Sequence, residues 1–471
     1  MRAPLPFQRA LVGAFTCALG ACAVGPAYQA PTPALAAQFQ ASLPAPPPGQ
    51  AGELSNWWRQ FDDPLVAELV DAARIGNPGL ERARARIARA RAAADFEHGA
   101  QFPAVDLNLS AERSGMRSGT LRQSGHAVSR SIDALWEIDL FGAHRMAGAA
   151  ASAQLEARTA DFHAARVSLA AEVASTLVNY RACAATAGML ELDAKSRAQT
   201  AELTRLKIKA GFAPAAGALL IDASGADARQ RAVAQRANCD LLVKALVALT
   251  DVAEPALRVK LDASARLPRP AAIAVDAVPA TALMRRPDIV AAERELKAAN
   301  AAIGAAEARR YPSLSLSGSI GVFRLAGASL PTDAWSILPA LNLPLFDAGQ
   351  RRADVSAAQS VYDENYAAYR QTVREAVRET EGALVRLDAA ARRETDALAA
   401  ARDYESYFKS SEERFKAGPL SLFELEDARR SALAAQQALI GVQQERVNAW
   451  IALYKALGGG WQDGDAQQAR L

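Results

Sequence analysis

Few side chains in this 471-residue chain are spaced to do covalent chemistry. The histidines (His98, His126, His144 and His163) share no metal-binding or catalytic spacing, and no phosphate loop, dinucleotide fingerprint or nucleophile elbow occurs. An enzyme reading has no residues to rest on, and neither a metal nor a soluble cofactor is expected. What remains is four cysteines, at 17, 22, 183 and 239, and an acid pair, Glu424 and Asp427. The acids are three apart, on one face of any helix, and follow a glycine. At a helix start they suit the positive end of the backbone dipole.

The segment Met1 to Cys22 carries Arg2 and Arg9, then a short apolar run from Ala10 to Ala21. It reads as a secretory signal, too short and wrongly flanked to span a bilayer as a helix. Its end, Leu19-Gly20-Ala21-Cys22, resembles the lipobox of bacterial lipoproteins. That likeness implies removal of residues 1–21 and acylation of Cys22. With Ala23 rather than aspartate next, it also implies sorting to the outer membrane. Such an anchor adds apolar burial without crossing the bilayer. No later window holds the roughly 18 continuous apolar residues of a membrane helix, so any crossing must use strands. The net charge is +3, with arginines interleaved among acids at helical spacing. Solvated helix faces give that pattern; a nucleic-acid surface would need clustering.

The elements that position these groups are two long rods. From Phe141 to Gly211 there is no proline, and Leu155, Phe162 and Leu169 sit seven apart before Val173, Leu177 and Tyr180. That period, near three and a half, marks a coiled-coil seam. A helix from Arg145 to Lys209 would be roughly 100 Å long, too long for one globular core to bury. From Phe346 to Gly418 the pattern returns, with Val355, Tyr362 and Tyr369, then Val377, Leu384, Ala391 and Leu398. Each rod ends in Lys-Ala-Gly, at Gly211 and Gly418, which suits a C-terminal cap. A further helix follows each, over 219–249 and 421–457.

Alternation is strict over Ala104–Ser110 in a strand at about 104–114, mostly kept at about 128–140, and returns over Ser313–Ile320 in a strand at about 313–323, with a return strand at about 335–345 and polar loops at 115–125 and 327–333. These strands are about ten residues long, enough to cross a bilayer when tilted. Trp136 and Trp335 near their ends suit either an interfacial belt or core packing. Pro78 and Pro287 lie 209 residues apart, as do Pro103 and Pro312, so the unit is duplicated. The organisation expected is a signal at 1–21, an extended arm at 22–60, repeats at 61–250 and 281–457, a connector at 251–280, and a tail at 458–471. Four strands cannot close a barrel, and an open edge cannot face lipid, so copies must complete one another. Cys183 and Cys239 fall on the two helices of the first hairpin at comparable distances from its tip. In a compartment that permits disulfides they form either a bridge or two buried thiols.

Taken together, these features resemble the TolC-like outer-membrane factors, in their NodT/OprM-type lipoprotein branch. The likeness is carried by Cys22-Ala-Val-Gly-Pro-Ala-Tyr28, Trp57-Trp58-Arg59-Gln60-Phe61 and Leu283-Met-Arg-Arg-Pro-Asp-Ile289 with Ala292-Glu-Arg294. Arg414-Phe-Lys-Ala-Gly418, Asp427-Ala-Arg429 and Leu457-Gly-Gly-Gly-Trp461 complete it. The resemblance implies long antiparallel helical hairpins forming a periplasmic tunnel, and a homotrimer whose four strands per chain build a twelve-stranded barrel. It implies a periplasmic adaptor and an inner-membrane pump, of the resistance-nodulation-division type, as partners. It also implies passive export of drugs and toxic compounds, with no reaction catalysed. By the same resemblance, Glu424 and Asp427 would ring the periplasmic aperture and favour cations. The family's tyrosine and arginine lock reads Phe415 and Leu420 here, so closure would lean on apolar packing. The tips Gly211-Phe212 and Gly418-Pro419 would be where an adaptor docks, beyond their plain turn chemistry. Two other readings use the same chain: a duct for protein secretion of type I, and a coiled-coil spacer lipoprotein without a pore. The alternating strands speak against the spacer.

Overall fold

The computed structural model describes residues 24–33, 39–41, 54–264, 266–270, 280–325 and 331–459. The signal segment with Cys22, most of the proline-rich arm, part of the connector, part of the second strand loop and the Trp461 ending lie outside the described residues.

In chain order the elements are α1 (Pro64–Gly76), α2 (Pro78–Gly99), β1 (Ala104–Ser118), β2 (Leu121–Ile138), α3 (Ala143–Lys209) and α4 (Ala216–Thr250). Then come α5 (Glu254–Asp262), α6 (Pro287–Ala308), β3 (Ser313–Leu325), β4 (Thr332–Asn342), α7 (Gln350–Ala417) and α8 (Leu422–Ala456). Prolines open α1, α2 and α6, where the missing N–H is no loss. No described helix is long and apolar enough to cross a membrane.

The chain forms two compact units. One comprises Met1–Pro33, Arg84–Ala160 and Val290–Gln371; the other comprises Ala34–Ala83, Asp161–Ile289 and Thr372–Leu471. The first holds one antiparallel sheet in the order β1-β2-β3-β4. Its N-terminal arm runs along α6: the Tyr28 hydroxyl bonds Glu293, and Asn300 donates to the Pro26 carbonyl at 3.0 Å. A Cβ on Gly25 would stand 2.6 Å from the Gly304 Cα, so only glycine permits that approach.

The second unit holds the aromatic core. Trp57 and Tyr454 are 4.9 Å apart by centroid, and Phe61 meets Trp450 edge-on at 5.2 Å. Beside it the buried Arg181 pairs with Asp63 at 3.1 Å. The seam residues Phe162, Leu169, Val173, Leu177 and Tyr180 are buried as their spacing requires, whereas Leu398 on the second row stays exposed.

Three boundaries differ from the sequence reading. The stretch Gly115–Gly125, expected as a loop, is paired almost throughout, with Gly115 opposite Ser124 and Arg117 opposite Arg122. Polar residues occupy both of its faces, while a tight turn at Gly119 (φ 61°) lets the backbone bonds continue. The fourth strand lies at 332–342 rather than 335–345; Pro344 has no N–H to extend it. The second rod begins at Gln350, not Phe346, because the Asp347 carboxylate accepts from the Gly349 and Arg351 amides and so caps it there.

Candidate functional site: the strand wall and the hairpin tips

Alternation along the strands gives the sheet two unlike faces. In register, Leu107, Ile132, Ile320 and Trp335 form one row, and Val105, Ala134, Gly318 and Ile337 the next. These large apolar side chains are exposed, Trp335 at 76% and Leu107 at 67%. Exposed apolar area of this extent in water would be costly, which marks a face built for lipid or protein. The other face carries Asn108, Ser110, Ser129, Ser131 and the serines at 315, 317 and 319. There the hydroxyls of Ser110 and Ser129 meet at 2.6 Å, and Asn108 donates to Asp133 at 2.6 Å. Trp136 is half-buried and donates its ring N–H to the Gln101 carbonyl at 3.0 Å, which ties the start of the sheet to the turn after α2. Both outer strands, β1 and β4, are exposed along their length and have no further strand beside them among the described residues.

The tips lie in the second unit. Rod α3 ends at Gly211 (φ 78°), with the Phe212 amide donating to the Lys207 carbonyl at 2.8 Å. Rod α7 ends at Gly418 (φ 108°), whose amide donates to the Arg414 carbonyl at 3.0 Å. Both glycines occupy the left-handed region that a Cβ disfavours. Phe212 is 85% exposed, and Pro419 and Phe423 are exposed beside Gly418. Lys207 joins the two hairpins: its ammonium donates to the Phe415 carbonyl at 2.6 Å and sits 3.9 Å from that ring's centroid.

Of the expected aperture residues, Phe415 turns inward and packs with Leu420 and Leu425 in one apolar cluster. Phe415 and Leu420 are therefore joined by apolar contact. Glu424 serves as the capping-box partner of Ser421, accepting from its amide at 2.9 Å and its hydroxyl at 2.7 Å. The Ser421 hydroxyl and amide hold the Glu424 carboxyl below its usual value. Asp427 is exposed, 3.6 Å from Arg430. The two acids share the start of α8; among the described residues neither bonds the other hairpin.

Behind the tips is a cluster that spacing did not reveal. Asp193 and Arg197 of α3 meet Glu426 and Arg429 of α8, all four buried. Arg197 bonds Asp193 at 3.0 Å and also Glu426; Arg429 bonds Glu426 at 2.5 Å and donates to Thr200 at 2.8 Å. Burial holds the Arg429 pKa below the usual arginine value, with Glu426 opposing it. Its Nε has no hydrogen-bond partner; the nearest carboxylate, Asp193, is 4.0 Å away. Two cations and two anions thus neutralise one another across the hairpins. Higher on the first hairpin a disulfide joins Cys183 to Cys239, with Cα atoms 5.6 Å apart. Cys22 lies outside the described residues, and no metal-binding group occurs among those described.

Comparison with known proteins agrees with this layout. The family model described as "Outer membrane efflux protein" matches residues 69–251 and 278–459, one segment per repeat. The antibiotic efflux pump outer membrane protein ArpC of Pseudomonas putida is 32% identical, over 96% of this chain and 95% of its own. Outer membrane protein OprJ of Pseudomonas aeruginosa is 30% identical over 98% of each. Among solved structures, the outer-membrane channel OprN superposes with a TM-score of 0.83 at 29% identity, covering 93% of this chain and all of that one.

Proposed function

The chain belongs to the outer membrane efflux protein family, with a TolC-like fold, and from that premise we propose that three copies form the exit duct of a tripartite exporter. The observation that carries this reading is the four-stranded sheet: one exposed apolar face, one polar face, and two bare edges. Bare edges in lipid leave backbone groups unpaired, each costing several kcal/mol by about the scale of an unmade buried hydrogen bond. Because the strands alternate in direction, β4 of one copy can pair antiparallel with β1 of the next, and three copies give a twelve-stranded ring. The apolar face then meets lipid and the serine-lined face encloses water. That inner face carries Asp106, Glu112, Asp133 and Glu137 and no strand lysine or arginine, so the lumen favours cations.

The hairpins carry the duct through the periplasm. The exposed apolar tips at Phe212, Pro419 and Phe423 are the docking points for an adaptor, which links the duct to an inner-membrane pump of the resistance-nodulation-division type. Asp427 lines the periplasmic aperture, with Glu424 beside it. A lipid on Cys22 adds an anchor at the mature N-terminus. The cargo is small toxic molecules, chosen by pump and adaptor. Cysteines scanned along β1 and β4 test the ring: some pairs should cross-link copies into two- and three-chain species in native membranes. Monomer alone at every pair would refute it.

A further inference from the structure

The charged residues of the strands are sorted by face and by height. Register puts Arg113, Arg117, Arg122, Arg130 and Arg324 on the same face as Leu107, Ile132 and Ile320, whereas four of the five strand acids lie on the opposite face. Asp333 is the one acid on the arginine face. The arginines begin in the last apolar rows and continue beyond them, and Asp333 shares the first of these rows with Arg130. Leu109, Arg130 and Val322 share a row, the next holds Val128 and Arg324, then come Arg113 beside His126 and finally Arg117 opposite Arg122. All five are exposed, and none has an ion pair with an acid among the described residues. The rows lie at the end of the sheet away from the helices, toward the turn at Gly119.

Two like charges directly opposite one another on neighbouring strands destabilise a sheet unless an anion lies between them. Arg117 and Arg122 are such a pair, and Arg130 and Arg324 are diagonal neighbours about 7–8 Å apart at the backbone. Guanidinium pairs at that spacing fit phosphate oxygens, each fork taking two. With the hairpins on the periplasmic side, as proposed above, the band follows the lipid-facing rows at headgroup height in the leaflet farthest from the periplasm.

We propose that this arginine band binds the phosphate groups of a phosphorylated glycolipid in the outer leaflet, whose acyl chains lie on the Leu107–Ile320 face below. The inference rests on the membrane placement proposed above. It assigns the band a lipid, not a protein, because the apolar rows continue beneath the charges without interruption.

The test uses the full mature protein in detergent, with phosphorylated lipid A and its dephosphorylated form as probes, read by native mass spectrometry. Wild type should retain phosphorylated lipid A at least about tenfold more tightly than the dephosphorylated form, as expected for several charge-assisted contacts. Arg113→Gln/Arg130→Gln/Arg324→Gln should lose that preference while keeping its β-content and assembly. Inorganic phosphate at equal concentration should not compete. Equal retention of both lipids, or full preference in the triple variant, would overturn the proposal. A Thr120→Cys variant on intact cells separates the premises. Labelling by an impermeant maleimide with no lipid preference sinks the inference alone; no labelling sinks the membrane placement and the inference with it.

Discussion

Replacing Arg197 with leucine leaves Asp193 and Glu426 facing only Arg429, so a balanced cluster becomes one with an uncompensated buried anion. Each side chain here is at most 7% exposed, so solvent screens little of this change. Breaking a buried pair costs about 3–5 kcal/mol. At about 1.4 kcal/mol per tenfold, hydrogen exchange of the amides near Leu425–Leu433 in α8 and Thr200–Thr204 in α3 should speed up by about a hundredfold or more. Arg205→Leu provides the contrast. Its pair with Asp222 is half-exposed, and such pairs contribute about 1 kcal/mol or less, so exchange should rise less than about fivefold and not reach α8. Adding Asp193→Leu to Arg197→Leu leaves the Glu426–Arg429 pair balanced and should recover most of the protection. If Arg197→Leu changes exchange by less than about threefold, or the double variant is no better than the single, the cluster does not hold the tips together.

Further outcomes follow from the same geometry. Reducing Cys183–Cys239, which closes a loop of 56 residues, should destabilise the first hairpin by about 4 kcal/mol on the chain-entropy account. Protease cleavage within α4 would rise accordingly, and titration of the unreduced chain should find neither thiol free. Gly211→Val and Gly418→Val meet open space but force φ of 78° and 108° on an L-residue, about 1–2 kcal/mol each. Export should fail while assembled oligomer persists, and unchanged drug tolerance would place docking elsewhere. The capping box has an acid limit. Because the folded Glu424 pKa lies below its ordinary 4.5, its stabilisation is complete above that pH and fades as pH falls through the lower value. Pepsin cleavage near Ser421 should therefore rise on acidification below about pH 4.5, and Glu424→Gln should remove the step.

The long-range plan of this molecule was legible because it is written in local periods. Phe162, Leu169 and Leu177 announce a rod, and Ser313 to Ile320 a strand, from neighbours alone. The rod ends were legible for the same reason, since Gly211 and Gly418 answer a backbone need at one position. The polarity around Arg117 and Arg122 suggests a loop from sequence alone, although a hairpin polar on both faces keeps its bonds. The second rod's start is hidden in the sequence because Phe346 continues the apolar spacing, while Asp347 sets the cap. The Asp193–Arg197–Glu426–Arg429 cluster had no such local signal. Arg197 and Glu426 are 229 positions apart, and each alone looks like one more charge on a solvated helix. The apolar character of Phe415 and Leu420 is plain in the sequence, but their inward packing with Leu425 depends on a fold-level approach that no local period encodes.

The claim on which the account depends is that separate copies pool their strands to close one wall. Native mass spectrometry of the detergent-released mature protein tests it in a single spectrum. One dominant particle of three chains is the expected result; a stable single chain, with β1 and β4 left bare, would contradict the shared wall.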